Sequence, residues 1–267
     1  MIDPVVTYIA ANAFYGCTTL TSISIPNTVT SIGNGAFYYC SSLVSVVIPD
    51  SVITIGIDAF SMCLSLSSVS FTTTTTTSSN SSSSSSSSLT SINAMAFYHC
   101  KSLTSIVIPD TVTTLGSGIF DGCSSITSIT ISKHATSIGA FAFRECSSLP
   151  LLVIPNSVRS IDVQTFAGCT SLSSITIGSS ITSIDDGAFI GCTSLVSVVV
   201  PYGVTSIGDG TFYGCTSLSS ISIPTSVTSI GNSAFDRCSS LSSLTIPTSV
   251  TTIGIGAFAP QCKVKQL

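Results

Sequence analysis

The sequence predicts a repeat solenoid of parallel β-strands with a 23-residue period, and three observations predict it. Eight of the ten spacings between its eleven cysteines are 23 residues. A phenylalanine lies three residues before ten of the eleven cysteines and four residues before Cys262, and a leucine or isoleucine lies three residues after ten of them. The template therefore spans residues 1–262 as one partial and ten full units, which leaves a short tail at 263–267.

Each unit contains two short apolar strands and a turn. In Leu20–Ile25 the last two apolar residues alternate with serine, which is the period of a half-buried strand. Pro26 ends the pairing because proline has no backbone N–H, and a second apolar edge ends at Gly33, a position that suits a permissive backbone. The segment Ala36–Cys40 spaces Phe and Cys three residues apart, which predicts a single helical turn. One unit cannot bury its apolar side alone, so successive units must stack.

The cysteines form a column, because all eleven occupy one position of the repeat. The interpretation we favour is a ladder of buried free thiols that pack as small apolar side chains. A disulfide framework is one alternative, although parallel side chains do not point at one another and an odd number leaves one cysteine unpaired. A metal site is another, although zinc needs close pairs that a 23-residue spacing does not offer. No cofactor is expected.

Charged residues make up only 7% of the chain, and its net charge is −4. The seven Lys and Arg residues are scattered singly, so the sequence lacks the basic stripe that a nucleic-acid partner requires. No apolar run approaches the ~18 residues of a membrane span, and the first residues do not resemble a signal peptide. The composition therefore predicts neither nucleic-acid binding nor membrane insertion.

A Thr/Ser-rich insertion interrupts the template at residues 72–88, where one cysteine spacing grows to 37 residues. It has no apolar anchor to offset the entropy of ordering it, so we predict a disordered loop. The simplest interpretation is a low-complexity expansion that the solenoid tolerates. A modified loop is the alternative, because Asn80-Ser81-Ser82 would be a glycosylation sequon in a secreted protein.

Residues suited to catalysis or metal binding are few. His99 and His134 have no carboxylate at a fixed local spacing, and serines without a base are not activated, so no enzyme is expected. Stacked aspartates in register are a candidate calcium site, since the ion would relieve their repulsion. The interpretation we favour is that they cap the short helical turn. These residues are Asp162, Asp185, Asp186 and Asp209.

Outward positions of the predicted long strands form an uncharged, faintly apolar surface that suits broad contact with proteins or glycans. The alternative is that Ser, Thr and Val stand there only because they favour strands. The candidate ligand face consists of Ser22, Ser24, Ser45, Val47, Ser105, Val107, Ser128, Thr130, Ser174, Thr176, Ser197, Val199, Ser220 and Ser222. Tyrosine, a residue enriched at interfaces, forms a second ridge at Tyr15, Tyr38, Tyr98 and Tyr213.

The pattern Leu-x-x-Ile-x-Ile-Pro-x-x-Val-x-x-Ile-Gly-x-x-Ala-Phe-x-x-Cys closely resembles the BspA-type (treponemal-type) leucine-rich repeat. The resemblance covers Ile2–Cys262 apart from the insertion. It implies a leucine-rich-repeat solenoid with parallel β-strands and short helical or irregular turns. It also implies a non-catalytic, adhesin-like protein, at the cell surface or secreted, that binds host or matrix proteins or glycans. An intracellular leucine-rich-repeat scaffold for protein–protein interaction is the alternative function.

The first unit leaves a strand edge at Ile2, and open edges of this kind pair with other chains. Lys263 and Lys265 place charge near the other end, where charge opposes such pairing. We therefore expect weak end-to-end self-association, or an N-terminal cap outside this sequence.

Overall fold

The computed structural model describes residues 2–72 and 87–267, which form a parallel β-solenoid of stacked coils. A long strand recurs from coil to coil, and its side chains alternate between solvent and core, as in Ser45–Ile48. The long strands are Ser45–Ile48, Ser68–Phe71, Ser105–Val107, Ser128–Thr130, Leu151–Val153, Ser174–Thr176, Ser197–Val199, Ser220–Ser222, Ser243–Ile246 and Lys263–Gln266.

A short strand recurs as well and belongs to a separate set of parallel sheets. The offset between paired residues is 23, as for Ser31 and Thr54, or 37 across the insertion, as for Thr54 and Ser91. This register places identical repeat positions side by side. The short strands are Tyr8–Ile9, Ser31–Ile32, Thr54–Ile55, Ser91–Ile92, Thr114–Leu115, Ser137–Ile138, Ser160–Ile161, Ser183–Ile184, Ser206–Ile207, Ser229–Ile230 and Thr252–Ile253.

The core consists of columns that run the length of the solenoid. Phe37, Cys40 and Leu43 are fully buried, and their equivalents in the inner coils are buried in the same way. Eleven phenylalanine rings, from Phe14 to Phe258, stack with centroids 5.0–5.9 Å apart and interplanar angles of at most 14°. Each inner coil therefore buries its apolar side against both neighbours.

The segment Gly33–Cys40 and its equivalents, here called the turn segment, form no helix in any described coil, so the predicted helical turn is wrong. Alternate N–H groups donate to carbonyls three residues earlier, as Tyr38 does to Gly35 at 3.0 Å. The N–H groups between them donate to the next coil, as Phe37 does to Ala59 at 2.7 Å. Left-handed backbone at two positions, one of them Gly35 with φ 60°, aims these amides at the next coil instead of along a helix axis.

Glycine is favoured at the position of Gly33 but is not required there, since Asn93, Asp162 and Asp185 occupy it in other coils. The reason differs from the permissive backbone that we predict, because the φ of Gly33 is not left-handed. A Cβ added to Gly33 would lie 2.6 Å from the backbone nitrogen of Ala11 in the preceding coil. The equivalent Gly254 would meet the backbone nitrogen of Asn232 at 2.4 Å. Glycine at this position therefore allows two backbones to approach each other.

Serine and threonine hydroxyls form ladders between coils. Thr127 Oγ1 donates to the carbonyl of Thr104 at 3.1 Å, and Thr104 Oγ1 donates to that of Ser67 at 3.3 Å. Similar ladders follow the turn segment, where Thr216 Oγ1 donates to the carbonyl of Thr193 at 3.3 Å. Many Ser and Thr side chains therefore form hydrogen bonds within the solenoid in addition to contacting water.

The cysteine column consists of free thiols, nine of them buried, as the buried-thiol interpretation predicts. An unpredicted contact adds to the packing: each of those nine Sγ atoms donates to a phenylalanine carbonyl of the preceding coil, as Cys63 does to Phe37 at 3.2 Å. Burial, and next the neighbouring Cys40 thiol, raise the pKa of Cys63 from its ordinary value of 9.0 to about 12. The thiols are therefore held in their neutral form, which is the form that can donate a hydrogen bond.

The structure describes the two ends of the insertion predicted at 72–88 but not its middle. Residues 73–86, which include the Asn80 sequon, lie outside the described residues. Thr72 N donates to the carbonyl of Ile48, and Ser88 N donates to that of Asp50, both at 2.9 Å. The two ends of the insertion are thus bonded to the same coil.

Residues 263–267, which we predict to be a short tail, contain a strand. Lys263–Gln266 form the last long strand and pair in parallel with Ser243–Ile246. The offset is 20 residues instead of 23, because the last coil is shorter than the template. The edge of Ser243–Ile246 has backbone N–H and C=O groups that can pair with an extended segment, and Lys263–Gln266 lie close enough to do so.

Removing one ring from the phenylalanine stack tests the column. We expect Phe166→Ala to lower the free energy of unfolding by about 3–5 kcal/mol, because it leaves a cavity between two rings in a fully buried site. Urea titration followed by circular dichroism measures the loss. Leu151→Ala, at an apolar side chain that is 61% exposed, is the control and should cost far less; equal losses would contradict the stack as a source of stability.

The thiol column predicts a pattern of chemical reactivity. At pH 8 the nine buried thiols should resist Ellman's reagent in the native protein, because the thiolate is the nucleophile and burial raises the pKa of Cys40 to about 11 and of Cys169 to about 12. Protection should persist until the pH rises through these values. Cys17 and Cys262, which are half-buried, should react first. All eleven should react in guanidinium, and rapid native reaction of all eleven would contradict the ladder.

Candidate binding face

The exposed side of the long strands and of the equivalent residues in the first coil, here called the long-strand face, contains all fourteen residues of the predicted ligand face, and all fourteen are exposed. Ser22 and Ser24 lie in that first coil, where Ser22 forms a parallel bridge with Ser45. Parallel pairing places Ser105 beside Ser128 and Val107 beside Thr130. The fourteen residues include no charged side chain, and Lys263 and Lys265 of the last long strand add charge only at the end of the same rows. Val107 is 64% exposed and Val199 is 72% exposed. Before that last strand, the surface is therefore an uncharged array of hydroxyls with isolated apolar side chains.

A third file of this face, directly after the repeat leucine, was missed in the sequence. Val44 and Val196 occupy it and are half-exposed. Where a Ser or Thr occupies this position, its hydroxyl can donate a hydrogen bond to the preceding coil, as Ser219 Oγ does to the carbonyl of Val196 at 3.3 Å. The sequence signal for this third file is an apolar residue, Val44 or Val196, at a position where most other units have Ser or Thr.

Pro150 interrupts this third file. Ser173 N donates to the Pro150 carbonyl at 2.9 Å, but Pro150 has no N–H to donate to Thr127 in the coil before it. The first sheet of long strands ends at this point, so Ser128–Thr130 and Leu151–Val153 belong to different sheets. The long strands are also divided after Thr176 and after Ser222, where the residues equivalent to Pro150 are Val196 and Ser242.

A groove of about 740 Å³ lies at the break, within the ~300–1,000 Å³ range of ligand sites. Leu151 and Val153 line it, and both are more than half exposed. His134 Nδ1 lies 2.9 Å from the carbonyl of Asp110, and Lys133 forms an exposed ion pair with the same residue's carboxylate at 2.7 Å. The groove combines apolar side chains with polar groups at its edge, which distinguishes it from the rest of the face.

The four aspartates lie at the start of the turn segment, and the carboxylates of two of them bond the next coil. Asp186 Oδ1 accepts the N–H of Asp209 at 2.7 Å, and Asp209 Oδ1 accepts that of Asn232 at 2.7 Å. Helix capping, which we favoured, is wrong because no helix begins at these residues. The oxygens instead satisfy amides one coil away.

Asp162 and Asp185 occupy the position of Gly33 in their coils. Burial, and next the Asp162 carboxylate, raise the pKa of Asp185. Within residues 2–72 and 87–267, no group of three or more His, Cys, Asp or Glu is arranged to hold a metal ion. The carboxylates are therefore spaced by the coils and are not gathered around a common centre.

Neither histidine is bonded to a hydroxyl through its ring in the part of the chain that the structure describes. The His99 ring packs on Tyr98 with centroids 4.2 Å apart, and the His134 ring faces a backbone carbonyl. Many serine and threonine hydroxyls already donate their proton to a carbonyl, as Thr216 Oγ1 does.

No described helix has the length and apolarity needed to cross a bilayer.

The aspartate ladder makes a prediction about calcium. We expect Asp209→Ala to lower the free energy of unfolding by about 0.5–1.5 kcal/mol, because Asn232 N and Nδ2 lose their acceptors at 2.7 and 3.0 Å. Asp209→Asn keeps one oxygen acceptor and is the control. Thermal melts with millimolar calcium or with EDTA should coincide, and a calcium-dependent rise in melting temperature that Asp209→Asn abolishes would instead support a metal site.

Comparison with known proteins identifies the repeat. The BspA type leucine rich repeat region matches residues 7–94, 77–194 and 161–267. No curated protein is significantly similar in sequence. A leucine-rich repeat protein from Bacteroides ovatus is a structural neighbour with 29% identity and a TM-score of 0.59, and the alignment covers 100% of this chain and 82% of that one.

Two further solved structures are similar. A leucine rich cell surface protein from Faecalibacterium prausnitzii is 28% identical over 97% of this chain and 83% of that one, with a TM-score of 0.48. The T. pallidum leucine rich repeat protein is 27% identical over 83% of this chain and 78% of that one, with a TM-score of 0.42. The period, the buried columns and the family match agree, and the chain belongs to the BspA-type leucine-rich repeat family.

Proposed function

We propose that the chain is a non-catalytic binding module, an adhesin-like surface protein that contacts host or matrix proteins or glycans through the long-strand face. The observation that carries the proposal is the exposed, uncharged face and its groove beside Leu151 and Val153. Membership of a leucine-rich repeat family supports a binding role over a catalytic one.

The physical character of the face supports contact with a large partner. Apolar side chains such as Val107 and Val199 are separated by hydroxyls, so contact with a partner removes apolar area from water without burying an unpaired charge. The repeat offers the same contact on successive coils, and several weak contacts to one partner add through their high effective concentration. The groove supplies the place where a partner side chain inserts.

A second function, an intracellular scaffold for protein–protein interaction, is supported by a separate observation. All eleven cysteines are free, and free thiols persist most readily in reducing compartments. The same face serves this function, so the two proposals differ in compartment and in partner.

Binding to immobilised matrix proteins and to a glycan array tests the face. We expect Leu151→Glu, and separately Val153→Glu, to weaken binding about tenfold or more, because each places a charge at the centre of a contact that excludes water. Surface plasmon resonance measures the change on the matrix proteins. Ile255→Glu is the matched control, since Ile255 is 87% exposed and lies outside the long strands.

Equal loss of binding in the control and the face variants would contradict the long-strand face as the contact. The compartment is tested separately by labelling intact source cells with a membrane-impermeant probe. Labelling supports the adhesin, and complete protection of the protein in intact cells, with labelling after lysis, would favour the scaffold.

A further inference from the structure

Valine and a hydroxyl residue alternate along one row of the long-strand face, at the position four residues after the repeat leucine. Valine occupies this position in every second coil, and serine or threonine occupies it in the coils between. The alternation holds without exception over nine successive coils, and all nine side chains are exposed. In order along the solenoid these residues are Ser24, Val47, Ser70, Val107, Thr130, Val153, Thr176, Val199 and Ser222.

The pairing of the long strands follows the same two-coil unit. Each of the four valines is paired in register with the hydroxyl residue of the next coil, as Val107 is with Thr130 and Val153 is with Thr176. The residue after the valine donates to the carbonyl of that hydroxyl residue, as Ile154 N does to Thr176 at 2.8 Å. The valines therefore recur every two coils in the structure as well as in the sequence.

The four valines, here called the valine track, are regularly spaced along the solenoid. Paired parallel strands lie about 4.7–4.9 Å apart, so two coils on this side of the solenoid advance by roughly 9.5 Å. The coils also stay stacked where the first sheet ends after Thr130, because the Phe143 and Phe166 rings of the two adjoining coils lie 5.4 Å apart. The track therefore presents one exposed apolar side chain about every 10 Å.

Hydroxyls beside the track are available to a partner. Ser105, Ser128 and Thr130 are exposed, and their hydroxyls have no hydrogen-bond partner within residues 2–72 and 87–267. The hydroxyls directly after the repeat leucine differ, since Thr104 Oγ1 and Thr127 Oγ1 each donate to the preceding coil. The valine track thus combines apolar side chains at a fixed interval with unpaired hydroxyls between them.

The interval between the valines restricts the backbone that can follow the track. A polyproline II chain has three residues per turn and rises about 3.1 Å per residue, so every third side chain lies on one side at roughly 9.3 Å intervals. A β-strand presents alternate side chains at roughly 6.6 Å intervals, which do not match. An α-helix presents every seventh side chain at roughly 10.5 Å intervals, which do match. The interval therefore leaves two backbone conformations.

The unpaired hydroxyls decide between these two conformations. An α-helix bonds its own backbone groups, so the hydroxyls of Ser105, Ser128 and Thr130 would lose water beneath it without gaining a partner. A polyproline II chain has no internal hydrogen bonds, so its carbonyl oxygens can accept from these hydroxyls. A saccharide also offers oxygens, but the two rows contain no aromatic ring on which its C–H groups would pack.

We infer that the valine track binds a single-chain segment of a partner protein in the polyproline II conformation, with a proline or aliphatic side chain at every third residue. The inference rests on the proposed function, because it names the kind of protein that the long-strand face contacts. It assigns the contact to a row from Val47 to Val199, of which only Val153 belongs to the groove.

Fluorescence anisotropy with the whole chain and labelled peptides tests the inference. The probe is a peptide of four Leu-Pro-Pro repeats, and its control has the same composition with the four leucines consecutive. A helical peptide with leucine at every seventh position represents the other conformation. We expect the Leu-Pro-Pro peptide to bind at least about tenfold more tightly than either of the others, because only its leucines meet successive valines.

A variant that moves one valine by a coil tests the spacing. Val107→Thr combined with Thr130→Val keeps the composition of the face but breaks the interval, and it should weaken binding of the Leu-Pro-Pro peptide about fivefold to tenfold. The matched control is Val44→Thr combined with Val196→Thr. It removes two valines of the same face that are each 48% exposed and lie outside the track, so binding should be unchanged. Thermal melts confirm that each variant is folded.

No binding of the Leu-Pro-Pro peptide, equal binding of the peptide with consecutive leucines, or binding that survives Val107→Thr with Thr130→Val would overturn the inference. Binding of the helical peptide alone would overturn it in favour of a helical partner. Self-association of the chain that the same variant abolishes would overturn it in favour of a second copy.

The inference and the proposed function fail in different ways. If the long-strand face binds a matrix protein but not the Leu-Pro-Pro peptide, the inference is overturned and the proposed function stands. If the peptide binds with the expected response to the variants but no matrix protein or glycan does, the inference is supported and the adhesin is contradicted.

Discussion

Hydrogen bonds between successive coils are the constraint on which the rest of the structure depends. The chain forms no helix in its described part, so its backbone cannot satisfy itself within a coil. Long strands, short strands and turn segments all donate to a neighbouring coil, as Phe37 does to Ala59 at 2.7 Å. Hydroxyls and thiols add to these bonds through Thr127 Oγ1 and Cys63 Sγ. A substitution that removes a bond across the coils therefore interrupts the pairing at that position, as Pro150 does.

The same constraint explains why we expect the cysteine column to be unreactive. A thiol that donates to the carbonyl of Phe37 must keep its proton, and burial raises the pKa of the Cys63 thiol so that it does. The bond to the preceding coil and the phenylalanine stack lie side by side, so both link the same pair of coils. Stability becomes a sum over neighbouring coils, and a local interruption such as the insertion after Thr72 leaves the remaining pairs intact.

The period, the strands and the buried columns could be predicted from the sequence, because each depends on spacing alone. The turn segment could not, since Phe37 and Cys40 lie three residues apart both in a helical turn and in the turns observed. The role of Gly33 depends on the backbone of another coil, which no local pattern reveals. The outward files were predicted correctly as exposed residues. The groove beside Leu151 and Val153 was not predicted, because it depends on how two neighbouring sheets of long strands meet and not on the spacing of residues in one unit.

Identical coils cannot by themselves distinguish one partner from another, because a ligand shifted by one coil would make the same contacts. Positional information therefore resides in departures from the template. A groove lies beside Leu151 and Val153, where the first sheet of long strands ends. Ser61 stands where other coils have Tyr38 and Tyr98, and its buried hydroxyl has no partner among the described residues. Departures of this kind make one coil different from the next, while the regular coils hold the surface in register.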